Sequence, residues 1–131
     1  MSADRRIAAF LTLADEELQA AKTLADGAPR QAAYYVQQAA EKATRAVLTA
    51  VAIPFGTGHN FGLMASTLPA GHPLKDRIAG LDKHSVAATL YRYPTAVGRL
   101  PPAPAPAAVK LDVADVEDFI GEVRKYVGLF K

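Results

Sequence analysis

The chain has 131 residues, with 15 Lys and Arg against 13 Asp and Glu and half of its side chains apolar. That size and balance fit a single globular domain with its own core and leave no run near the roughly 20 apolar residues of a membrane span. Cysteine is absent, which excludes disulfides, thiolate catalysis and cysteine-type zinc sites together. The opening Met1–Arg6 leads into no signal-type apolar stretch, so a soluble, cytoplasmic chain is expected.

The formal net charge of +2 is unevenly spread. Residues 1–26 and 112–131 each sum to −2, whereas residues 27–111 hold nine basic side chains against Glu41, Asp76 and Asp82. A converging basic middle would attract a nucleotide, a nucleic acid or an acidic partner. The plainer account is that the acidic end helices lie against that middle and neutralise it.

A first helix is predicted over Ala3–Ala25, with Ile7, Phe10, Leu11, Ala14, Leu18, Ala21, Leu24 and Ala25 forming one apolar stripe. Asp26-Gly27-Ala28-Pro29 breaks it, and a second helix then runs to about Ala52, ahead of Pro54. In this second helix Val36, Ala39, Ala40, Ala43 and Val47 share one side. Gln38, Glu41, Lys42 and Arg45 fall on another, as a solvated face or as one wall of a basic groove. The alanines permit close approach of a neighbouring helix, including a second copy of the same one.

A short helix is expected over 59–68, capped by Asn60 or Thr57, and a fourth over Leu74 to about Tyr91, with Leu74, Ile78, Leu81, Ser85, Ala88 and Tyr91, or Val86 and Leu90, supplying its buried side. The proline-rich stretch 100–108 reads as an extended crossover inside the domain. A last helix is predicted from Asp112 as N-cap, with Asp115 at its third position and an apolar stripe from Val113 to Phe130. No stretch shows the alternation of a half-buried strand. The expected architecture is all-α, an up-and-down bundle of four or five helices forming one domain over residues 1–131.

Two constellations stand out chemically. Arg77 and His84 lie two turns apart on the expected fourth helix. Such a pair could cleave a phosphodiester without metal, the histidine moving a 2′-hydroxyl proton and the arginine holding the phosphate. Arg92 lies between Tyr91 and Tyr93 at a helix end, where flat rings could take a base and the guanidinium a phosphate. The structural alternative places these tyrosines in the core rim and pairs Arg92 with a carboxylate. His59, at a helix N-terminus, could equally bond a loop carbonyl. There is no phosphate loop after a strand and no metal-ligand spacing, so neither cofactor nor metal is expected.

Tyr34-Tyr35-Val36-Gln37-Gln38-Ala39-Ala40-Glu41-Lys42-Ala43, Gly58-His59-Asn60-Phe61-Gly62-Leu63-Met64 and Leu81-Asp82-Lys83-His84 followed by Tyr91-Arg92-Tyr93-Pro94 together resemble the HEPN family (higher eukaryotes and prokaryotes nucleotide-binding). The resemblance spans about residues 5–128. It implies a helical bundle, usually dimeric, often encoded beside a minimal nucleotidyltransferase; many members are metal-independent ribonucleases of toxin systems that use an arginine followed four to six residues later by a histidine. Arg77 and His84 have six residues between them, within the family's range, but Ile78 stands where active members usually carry a polar residue. The pair also falls upstream of the Arg92-Tyr93-Pro94 block, as in a branch of the family that is often non-catalytic, and there the resemblance implies a ligand-facing set of Lys42, Arg45, His59, Arg92 and Tyr93. Three functions follow as expectations: a non-catalytic nucleotide-binding module that partners a nucleotidyltransferase in a toxin–antitoxin-like pair, a metal-independent ribonuclease using Arg77 and His84, or a structural protein that homodimerises through its alanine-rich helix.

Overall fold

The computed structural model describes residues 2–56, 58 and 60–128, and among these there is no strand. Five α-helices are formed: α1 (Ser2–Leu24), α2 (Pro29–Ala50), α3 (Phe61–Ser66), α4 (Lys75–Ala79) and α5 (Pro106–Gly128), with a 3₁₀ segment, Gly80–Ala88, continuing from α4. The chain is an all-α helical bundle, as the periodicity predicts.

Helix α1 buries Ile7, Leu11, Ala14, Leu18 and Ala21, alternating steps of four and three that keep one stripe on the neighbouring helix. The short connection at Gly27–Ala28 and Pro29 in the first turn of α2 turn the chain back on itself. On the far side, α5 runs antiparallel to α1, as three ion pairs in reverse order record: Asp26–Lys110, Lys22–Glu117 and Asp15–Arg124. Helix α2 lies between them and is buried on nearly every side, with Ala39, Ala40, Ala43 and Ala46 fully enclosed. Those alanines admit α1 and α5 of the same chain, so this face is not open to a second subunit.

The end of α2 is a Schellman turn. Ile53 N–H donates to the Leu48 carbonyl at 2.9 Å and Ala52 N–H to that of Thr49 at 3.1 Å. Ala52 therefore takes φ +59°, a left-handed conformation that suits glycine better. Helix α3 is capped by the Asn60 side chain, which accepts from Leu63 N–H, while both oxygens of Asp82 accept from Phe61 and Gly62 N–H at 2.9 and 3.1 Å. Gly62 is required by that contact, since a Cβ there would stand 2.8 Å from Asp82 Oδ2. Thr57, the other expected cap, lies outside the described residues, as does Phe130 of the expected last stripe.

Two predicted elements are corrected. The single fourth helix is instead α4 followed by 3₁₀ geometry. Ile78, Leu81, His84 and Ala87 are its buried side, spaced by three, which is the repeat of a 3₁₀ helix and not of an α-helix. Val86 and Leu90 consequently face solvent, and Ser85 is only half-buried. Gly80 weakens α-helix at the junction, and the tighter winding lets Asp82 reach back to α3. The last helix starts at Pro106, not Asp112, because a proline is suited to the first helical position and Ala107 and Ala108 extend the helix readily. The extended crossover thus stops at Ala105, and Asp115 sits in mid-helix, where its carboxylate faces side chains and not the helix terminus.

Candidate functional site

Arg77 and His84 come from different elements, α4 and the 3₁₀ segment, yet both converge on Asp115 of α5. Arg77 Nη2 lies 3.0 Å from Asp115 Oδ1 and also donates to the Asp115 carbonyl at 2.9 Å, while its Nε donates to Glu122 Oε1 at 2.9 Å. Phe119 lies beneath the guanidinium, 5.6 Å from ring centre to Cζ. Nearly enclosed at 4% exposure, His84 has its Nε2 2.9 Å from Asp115 Oδ2. An ionised carboxylate only accepts, so Nε2 carries the hydrogen and Nδ1 is the nitrogen left for other chemistry. Nδ1 has no hydrogen-bond partner among the described residues. Partial burial opposes ionisation of Asp115, but hydrogen bonds from His84 and Arg77 outweigh it and bring its pKa down to about 2. Arg77 loses something to desolvation and gains more from Glu122 and Asp115, so its pKa is raised. Two carboxylates therefore neutralise and fix the guanidinium.

Asp115 is the residue that sequence reasoning missed as a site member. Its signal was the acidic residue of a helix paired with a basic middle, hidden by the assumption that α5 begins at Asp112.

Lys42 and Arg45 belong to a polar ladder on α2. Lys42 Nζ donates to both carboxylate oxygens of Glu17 of α1, at 3.0 and 3.2 Å, and to Gln38 Oε1 at 3.2 Å. Gln38 donates to Gln37 at 2.8 Å, Gln37 donates to Glu41 at 3.1 Å, and Arg45 Nη2 pairs with Glu41 at 3.1 Å. Arg45 also lies over the Phe55 ring at 5.0 Å. Glu41 is only 4% exposed, so this face is neither plainly solvated nor an open basic wall. His59 lies outside the described residues.

Arg92 and Tyr93 are elsewhere, at a groove of about 500 Å³ lined by Arg30, Gln31, Tyr34, Tyr35, Tyr91, Arg92, Tyr93 and Leu100. The Arg92 guanidinium lies over Tyr34 at 4.3 Å and near Tyr93 at 5.5 Å, and Tyr34 meets Tyr35 edge to face at 5.7 Å. Arg30 Nη1 donates to the Pro101 carbonyl at 2.6 Å. Among the described residues neither Arg30 nor Arg92 has a carboxylate within 4.0 Å, unlike Lys42, Arg77, Lys83 and Lys110. The acidic helices thus neutralise much of the basic middle and leave this corner cationic. Arg30 stands one helical turn before Tyr34, a spacing that places both on one face and could have flagged the groove wall in the sequence.

Beside the groove is a recess of about 170 Å³ whose lining includes Lys83, His84, Tyr91 and Asp112. Among the described residues no group of three or more His, Cys, Asp or Glu could hold a metal ion, and no helix is long and apolar enough to cross a membrane.

The bundle and its central polar helix define a class of small helical domains. The sequence model of the HEPN domain matches residues 7–130, nearly the whole chain, and the chain belongs to the HEPN family. HEPN domains are nucleotide-binding or ribonuclease-type modules. No curated protein and no solved structure matches the chain.

Proposed function

We propose that this HEPN chain is a non-catalytic nucleotide-binding module whose ligand lies in the groove around Arg92. The observation that carries the reading is the layered stack of Tyr34, Arg92 and Tyr93 at the mouth of a groove whose two arginines have no carboxylate partner among the described residues. A base stacks on such a surface through its π face, and the guanidiniums take a phosphate. Calorimetry with nucleoside mono- and triphosphates is expected to give saturable heat with the native chain and at least tenfold weaker binding with Arg92→Ala. Absence of heat with every nucleotide would overturn the reading. The HEPN resemblance extends the proposal to a cytoplasmic homodimer paired with a minimal nucleotidyltransferase in a toxin–antitoxin-like system, which co-purification with such an enzyme tests.

A second reading is supported by the carboxylate behind His84. Asp115 holds the imidazole through Nε2 and leaves Nδ1 as its acceptor, an arrangement that a general base uses. In that reading Arg77 clamps the phosphate, which requires it to leave Asp115 and Glu122. RNA cleavage in EDTA that is abolished by His84→Ala would favour the nuclease, and no cleavage by the native chain favours the binding module.

A further inference from the structure

Residues 94–104 lead from the turn after the 3₁₀ segment towards α5, and the helices hold them loosely. Thr95 N–H donates to the Arg99 carbonyl at 2.7 Å, and Gly98 N–H, at a residue with φ +80°, donates to that of Thr95 at 2.9 Å, so the turn at 95–99 is closed on itself. Pro101, Pro102 and Pro104 have no N–H to offer. Among the described residues a single hydrogen bond ties this stretch to a helix, from Arg30 Nη1 of α2 to the Pro101 carbonyl at 2.6 Å. Val97 and Leu100 are 81% and 72% exposed, and of the whole stretch only Pro101 and Pro104 are half-buried.

Those two prolines do different things. Pro101 carries the carbonyl that Arg30 holds. Pro104 forms part of the wall of the recess of about 170 Å³, whose other sides include His84, Val86 and Tyr91 together with Ala33 and Val36 of α2. Three prolines in four residues favour stiff, extended chain, so a hold on Pro101 is transmitted to Pro104.

We propose that residues 100–105 form a strap that closes the recess beside His84, and that Arg30 is its latch. With the strap latched, His84 is only 4% exposed. Release of Pro101 lifts Pro104 from the wall and opens the recess towards the groove, since Tyr91 lines both. The latch is built to open: one hydrogen bond from a charged donor to a neutral carbonyl holds a stretch that buries little of its own surface, and such segments open at the low end of the local-unfolding scale. The bond from His84 to Asp115 of α5 is made without the strap and survives its opening. The device therefore controls access to His84 without disassembling the group around Asp115, and it does so whatever the groove binds.

The test is the rate at which diethyl pyrocarbonate acylates His84 in the full chain, mapped by mass spectrometry. The reagent attacks an imidazole nitrogen that bears a lone pair, and access to that nitrogen sets the rate. His72 is the internal reference: it lies in the turn before α4, with Nε2 2.8 Å from the Tyr126 hydroxyl and Nδ1 accepting from Leu74 N–H, away from the strap. Arg30→Ala is expected to raise the His84 rate about tenfold, the effect of one hydrogen bond from a charged group on the opening equilibrium, with the His72 rate unchanged. Arg30→Lys keeps a charged donor and should return most of the protection. Pro104→Gly leaves the latch in place and removes the ring from the wall, so it should also speed the reaction of His84. A His84 rate within about twofold of the native one in Arg30→Ala or in Pro104→Gly would overturn the proposal, as would an equal rise at His72, which marks loosening of the whole bundle.

Discussion

Asp115 shows how a single carboxylate can organise three elements. It receives Arg77 from α4 and Lys83 and His84 from the 3₁₀ segment, and it is itself carried by α5. Its folded-state pKa of about 2 lies below the ordinary value of 3.8. The stability it contributes is therefore fully present above pH 3.8 and is lost as pH falls toward 2. Chemical denaturation between pH 5 and pH 2 should show Asp115→Asn losing less stability on acidification than the native chain. Parallel curves would contradict the role assigned here. Arg45 makes the complementary case on α2. With Phe55 beneath it and Glu41 beside it, Arg45→Ala should lower stability by about 2 kcal/mol in urea titration. Nucleotide affinity should stay within about twofold. A loss of binding without a loss of stability would return Arg45 to the ligand-facing set.

Among the elements, the 3₁₀ segment makes the sharpest statement. An α-helical register would bury Val86, whereas the observed spacing by three buries Leu81 and leaves Val86 46% exposed. Leu81→Ala should cost about 2–5 kcal/mol. Val86→Ala should change stability by no more than about 0.5 kcal/mol. Comparable losses for the two variants would place the segment in the wrong register. At the end of α2, Ala52→Gly relieves a left-handed alanine and should raise stability by about 1 kcal/mol, read as a higher midpoint in urea. An unchanged or lower midpoint would argue against the Schellman turn.

At the scale of the whole molecule, the sequence was most informative where one period ruled. The stripe of α1 and the apolar side of α5 were legible because both helices bury a single face. The start of α5 was not, since Pro106 ends a run of prolines that reads as extended chain while also suiting a first helical turn. The site was legible in part. Arg92 and Tyr93 were found from composition at a helix end. Tyr91 was read with them, whereas Arg30 and Tyr34 join the groove only because α2 and the turn after the 3₁₀ segment fold together. Lys42 and Arg45 show the converse: charges that look available along a helix are taken up by Glu17 and Glu41, and while helical spacing pairs Arg45 with Glu41, no spacing rule reveals the partner of Lys42, 25 residues away.

That redistribution of charge leads to the central claim, that the cationic tyrosine groove and not the α2 ladder is the ligand site. Photo-crosslinking of a 4-thiouridine-containing trinucleotide, mapped by mass spectrometry, tests it directly. The predicted result is adducts on Tyr34, Tyr91 or Tyr93 that disappear with Arg92→Ala. Adducts confined to the region of Lys42 and Arg45, or unaffected by Arg92→Ala, would contradict it.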